Sequence, residues 1–232
     1  MRRILFFILL SFFACKCSAQ DSTSVRNRLT GTIVENFYVL RSNKQIKTGQ
    51  YIAVYRHSTA LASGRYLNNK KVGVWHFYDT EGTLIENFDY NRNVLLYERP
   101  DDSVSSQQIR YAFDDTITDS THVTKPIKPG GRYYGYLPYL KLFKLSDDFI
   151  GTDPSLFTAV LEILVSPGGR LADFKVHIKS DDFERITTFS TELIDNEDKV
   201  FIPATINGRP VISRIFVKCR ITIDGELDID GD

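Results

Sequence analysis

The chain is poor in the residues that ordinarily carry metal, redox or nucleophilic chemistry. Its three cysteines are Cys15, Cys17 and Cys219. The first two fall in an amino-terminal segment expected to be removed, and a lone Cys219 can form no internal disulfide. Cys219 alternates with Ile215, Val217, Ile221 and Ile223, which predicts a buried, inert core thiol rather than a nucleophile. The four histidines, His57, His76, His122 and His177, stand at least 19 residues apart and form no HxxxH or HExxH spacing. No Gly-x-Ser-x-Gly elbow, Walker loop or dinucleotide fingerprint is present. These absences predict a protein with no catalytic residues, no cofactor and no metal site. Charge of one sign is lacking too: Lys plus Arg and Asp plus Glu number 29 each. No global field therefore draws the chain to nucleic acid or to an acidic membrane surface. The acidic end, residues 224–232, lacks the final bidentate Glu of a calcium loop and reads as a solvated terminus.

Long apolar runs are absent as well. Arg2 and Arg3 precede an apolar stretch at residues 4–14, broken only by Ser11, and Cys17-Ser18-Ala19 comes next with small residues where a signal peptidase reads. The stretch falls short of the ~20 residues needed to span a bilayer. The expectation is a signal peptide at residues 1–19 and an exported, periplasmic protein. Phe12-Phe13-Ala14-Cys15 is a loose lipobox, so a lipoprotein anchored at Cys15 is the alternative.

What is present begins with a repeat. Lys47 and Lys71, Gly49 and Gly73, Tyr51 and Trp75, Thr59 and Thr83, Tyr66 and Tyr90, and Asn69 and Asn93 all lie 24 apart. Each unit runs Lys-x-Gly-x-aromatic, an extended stretch, a turn and a second aromatic. In the second unit the turn is Asp79-Thr80-Glu81-Gly82. A β-hairpin module over residues 20–99 is expected, with a capping strand from residues 29–40. This stretch resembles the MORN-like repeats of bacterial exported proteins. The resemblance implies a strand-rich platform for contacts without a catalytic centre. Trp75, Tyr66, Tyr78 and Tyr90 read first as the packing of that platform.

Residues 100–131 change in composition. Residues 101–120 hold five Asp against one Arg, and Pro126, Pro129, Gly130 and Gly131 punctuate the far end. The expectation is an acidic, Pro/Gly-rich linker, with one short strand at Ile109, Tyr111 and Phe113. The aromatic group Tyr133, Tyr134, Tyr136 and Tyr139 is expected to pack on the next domain, with carbohydrate stacking as the alternative.

Residues 132–232 form the second expected domain. Phe157, Ala159, Leu161, Ile163 and Val165 line one strand face, residues 166–170 make a turn, and Phe174, Val176 and Ile178 alternate with Lys175, His177 and Lys179. Asp181 with Glu184 reads as a capping box, and Phe183, Ile186, Phe189 and Leu193 succeed it at helical spacing. A long strand is expected over residues 211–223. The whole is an α+β chain: a β-rich hairpin module, then an antiparallel sheet with one packed helix. Residues 165–171 (Val-Ser-Pro-Gly-Gly-Arg-Leu), together with Pro203-Ala204 and Asn207-Gly208-Arg209-Pro210-Val211, resemble the carboxy-terminal domain of TonB over roughly residues 150–223. The resemblance implies a transport-related binding domain in the periplasm or on an envelope surface. Its partner would be an envelope protein, such as an outer-membrane receptor peptide, or peptidoglycan. The expected mechanism is strand addition at an exposed edge, the long last strand, beside a basic face of Lys175, Lys179, Arg214, Phe216, Lys218 and Arg220. A solvated sheet face is the plain alternative for those residues. A structural envelope protein that self-associates through its repeats, as a homodimer for example, is the alternative for the chain.

Overall fold

Period-two burial builds a seven-stranded meander from the first part of the chain. The structure, a computed structural model, describes residues 21–229 apart from 101–106, 116, 119, 147–152 and 182. The expected signal segment with Cys15 and Cys17 therefore lies outside the described residues. Strands β1 (Ser22–Arg28), β2 (Ile33–Leu40), β3 (Asn43–Tyr55), β4 (Thr59–Leu67), β5 (Lys70–Tyr78), β6 (Leu84–Asp89) and β7 (Val94–Glu98) pair in sequence order, all antiparallel. Ile33, Phe37 and Val39 point to one face with Tyr51, Ala53, Trp75, Phe77 and Phe88.

Two pairs of positions 24 apart share a backbone conformation. Gly49 and Gly73 both adopt positive φ, +75° and +67°, inside β3 and β5, where the strands shift register. Asn69 and Asn93 both turn the chain at positive φ. Fully buried Trp75 sits among Tyr51, Tyr66 and Tyr90 at centroid distances of 5.1, 5.2 and 5.7 Å, and its indole N–H donates to the Arg65 carbonyl at 3.2 Å. The indole lies flat on Gly64, where a Cβ would stand 2.2 Å from the ring.

The second sheet runs β12 (Phe183–Thr188), β11 (Leu171–Ser180), β10 (Thr158–Val165), β15 (Ser213–Ile221), β16 (Leu227–Ile229). Strand β8 (Ile109–Phe113) also pairs with β15, along residues 213–217, while β16 takes residues 219–221. A small sheet of β9 (Val123–Thr124), β13 (Thr205–Ile206) and β14 (Arg209–Pro210) flanks it. Cys219 is buried, 3% exposed, as its alternation predicts.

Two expectations are corrected. The amphipathic helix after Asp181 is strand β12, hairpinned to β11 with Ser180 opposite Phe183. The spacing of Phe183, Ile186 and Phe189 mimics a helix face, but Ile186 points to solvent and the β-branched run Ile186-Thr187-Thr188 favours pleated backbone. Leu193 belongs to a single 3-10 turn, Thr191–Leu193, and is also exposed. Elsewhere among the described residues an α-helix of one turn forms, α1 (Leu137–Leu140), with Pro138 in its opening positions. Second, residues 128–131, at the end of the stretch expected as a linker, are buried.

These residues open a wedge between the two sheets. The Glu86 carboxylate accepts the Gly130 and Gly131 N–H groups at 2.8 and 3.1 Å. Side chains have no room there: a Cβ on Gly130 would meet the Gly135 backbone at 2.5 Å, and one on Gly131 would meet Ile85 at 2.7 Å. Tyr134 donates to the Tyr51 hydroxyl, Tyr133 to Asp228 and Tyr139 to the Asp198 carbonyl, each at 2.7 Å. The aromatic group thus ties both sheets together, and one buried cluster runs from Ile33 to Ile229.

Gly64→Ala should lower stability by about 2 kcal/mol or more, because the new methyl overlaps a fully packed indole. Gly31→Ala, where nothing lies within 4 Å, should leave it unchanged. Urea unfolding of both variants checks this. Burial lifts Glu86 from 4.5 to about 7 against the pull of the two N–H groups. The fold therefore keeps a proton that the unfolded chain releases, so the Glu86 contribution is complete below pH 4.5 and lost as pH rises to about 7. Stability should fall by on the order of 3 kcal/mol across that interval in the wild type, and Glu86→Gln should flatten this slope. Unfolding free energy measured from pH 4.5 to 8 reads it directly.

Candidate functional site

The six residues expected to form a basic face share one face of the second sheet. Lys175 and Lys179 stand on β11, and Arg214, Phe216, Lys218 and Arg220 on β15, with β10 between them. The register explains the shared face: Lys175 lies opposite Glu162, and Glu162 opposite Phe216. The inward residues Leu161, Ile163, Val176, Ile178, Ile215 and Val217 fill the core.

Glu162 is the residue that sequence reasoning missed. Only 7% exposed, it gathers three basic groups: His177 Nε2 at 2.6 Å, Lys175 Nζ at 3.4 Å and Arg214 Nε at 3.5 Å. Arg214 also pairs with Asp114, and Arg220 with Asp228 at 2.9 Å. Lys179 and Lys218 are exposed and form no ion pair among the described residues. The face is thus a mesh of internal pairs from which two ammonium groups project, with Arg110 of β8 opposite Phe216. The one available signal for Glu162 was its place at an outward position of β10 between Leu161 and Ile163.

The exposed edge is not where the sequence suggested. Strand β15 has β10 on one side and β8 with β16 on the other, so its backbone is committed on both. Among the described residues β12 is the edge strand at one end of this sheet and pairs with β11 alone, while β8 and β16 share the other end, each paired with β15 alone. Phe189 N donates to the Phe174 carbonyl at 3.3 Å, which fixes the alternation. By that alternation Glu184, Ile186 and Thr188 turn their N–H groups away from β11. Ile186 is 53% exposed there.

Among the described residues no group of His, Cys, Asp or Glu is arranged to hold a metal ion, and no helix is long and apolar enough to cross a membrane. No protein-family model, curated protein or solved structure matches the chain.

Because the Lys175 and Arg214 cations and the His177 ring all depend on one buried carboxylate, Glu162→Gln should cost about 1–3 kcal/mol. The added loss should shrink in 1 M salt, where the released like charges are screened. Thermal unfolding at low and high salt tests both.

Proposed function

We propose that this chain is an exported, non-catalytic binding protein of the bacterial cell envelope that accepts an extended, acidic protein segment as an added strand along β12. The observation that carries the reading is the unpaired edge of β12, with outward N–H groups at Glu184, Ile186 and Thr188. The exposed Lys179 and Arg185 favour an acidic occupant. The resemblance of residues 165–171 and 203–211 to the TonB carboxy-terminal domain supports a strand-adding mode, as does the leader pattern at residues 1–19 for export. The MORN-like hairpins are then the platform.

A second reading, self-association through the hairpin sheet, is favoured by β7, an edge strand whose Val94, Leu96 and Tyr97 are 39, 48 and 41% exposed.

Ile186→Pro removes one outward donor and leaves the β11 ladder intact, so the fold should persist. In pull-downs from envelope extract with the full chain, the variant should capture the wild-type partner at least about tenfold less well. Equal capture by a folded variant would sink strand addition at β12. Solution mass that rises with concentration in both proteins would favour the self-associating reading.

A further inference from the structure

Lys47 and Lys71 hold equivalent posts in successive hairpins. Lys47 Nζ lies 5.4 Å from the Tyr66 ring and 6.0 Å from Tyr51; Lys71 Nζ lies 5.5 Å from Tyr90 and 5.7 Å from Trp75. At Lys71 the protein answers with its own acidic turn. Glu197 Oε1 accepts the Lys71 backbone N–H at 3.1 Å, and Asp198 Oδ1 meets the ammonium at 3.2 Å. At Lys47 the backbone N–H goes to Asn69 Oδ1, and the ammonium finds only Glu35 among the described carboxylates, at 3.7 Å. The Lys47 side chain remains 32% exposed. It opens on a cleft of about 530 Å3 between the hairpin sheet, the tyrosine wedge and the acidic turn.

The charges around this cleft select the ligand. Lys71 meets Asp198 at 3.2 Å and Lys47 meets Glu35 at 3.7 Å, and the Lys141 ammonium and the Asp195 and Glu197 carboxylates also line the walls. A simple anion gains at Lys47 and meets repulsion from Asp195 and Glu197, and a simple cation meets the reverse. A molecule with both a carboxylate and an ammonium group finds a partner for each among walls that carry both signs of charge. The Tyr66 and Tyr134 rings also line the cleft and suit a small apolar middle. The volume falls in the range of small-ligand sites.

We propose that this cleft binds a zwitterion of the amino-acid or short-peptide class, its carboxylate taken by Lys47 and its ammonium by Asp195 and Glu197. The carboxylate then takes at Lys47 the part that Asp198 plays at Lys71. The site is separate from the β12 edge, so its failure leaves strand addition untouched.

Titrations with alanine, dialanine, N-acetyl-dialanine and dialanine amide test it, read by calorimetry and by the fluorescence of the single tryptophan, Trp75. At least one free zwitterion should bind with a Kd of ~1 mM or tighter, and each blocked dialanine should bind at least about tenfold more weakly than dialanine or not at all. Tighter binding of alanine assigns the site to amino acids, and tighter binding of dialanine assigns it to peptides. Lys47→Met should cost about tenfold in affinity for the free form, whereas Lys218→Met on the far sheet should cost nothing. Asp195→Asn, an exposed change, should narrow the gap between free and N-acetylated dialanine. Absence of binding by alanine and dialanine up to ~10 mM, or equal binding of free and blocked forms, would overturn the proposal.

Discussion

A carboxylate buried at 3% exposure has to be answered, and Glu86 is answered by two consecutive backbone N–H groups of the wedge. That requirement fixes Gly130 and Gly131 against β6 and leaves no room for a side chain at either. With the wedge seated there, its tyrosines reach both sheets: Tyr134 meets Tyr51 in the first, and Tyr133 meets Asp228 in the second. Lys128 is carried into the interior with them. Burial lowers its ammonium to about 8 against the pull of Asp198, and its Nζ lies 5.1 Å over the Phe201 ring. The floor of the inter-sheet cleft and the approach of the acidic turn to Lys71 depend on this seating.

Lys71 gives that approach its hold. Burial pulls the ammonium down, but Tyr90, Asp198 and Tyr66 around it keep it above its usual range. Burial likewise works against the Asp198 carboxylate, yet Lys71 and Lys128 hold it below the ordinary value. Each member of the pair therefore stabilises the charged form of the other, in a setting where either alone would be costly. The first hairpin repeats the lysine and the rings without the turn, and so one repeat is closed while the other faces the cleft.

The hairpins were legible because their signals are local. Lys47 and Lys71, the glycines two residues on and the aromatics after them announce each unit, and Asp79-Thr80-Glu81-Gly82 marks its turn, where Asp79 Oδ1 accepts the Glu81 and Thr83 N–H groups. Strands β10 and β11 were legible by alternation, and β8 by Ile109, Tyr111 and Phe113. What β8 does was hidden, because nothing in an acidic stretch says that it covers an edge 100 residues away. Strand β16 was hidden for a similar reason: Leu227 and Ile229 alternate over three residues inside a run of carboxylates that reads as a solvated tail. Together they turn the long last strand from an edge into an interior strand. Glu162 escaped because its partners come from two other strands, and strand order is a tertiary fact. The helix expected after Asp181 failed because three apolar residues three apart fit either period when only Phe183 and Phe189 are packed.

Internal pairing of the basic face changes what can drive recognition there. Lys175, Arg214 and Arg220 are already matched by Glu162, Asp114 and Asp228, so the surface offers register and steering more than a broad basic field. In the proposed strand addition, affinity then comes from backbone groups, and the condition for that is an edge already held in place. Strand β12 meets it. Its start is fixed by the Ser180–Phe183 hairpin and by Phe183 packed edge-on against Phe157 at 6.4 Å. Just past its end, Phe189 stacks on Phe174 at 5.4 Å and 10°, and Ile194 is buried. The turn beyond is clasped by Lys71 and by the Tyr139 hydroxyl. A segment adding to this edge orders only itself, and the conformational cost of binding falls on one partner.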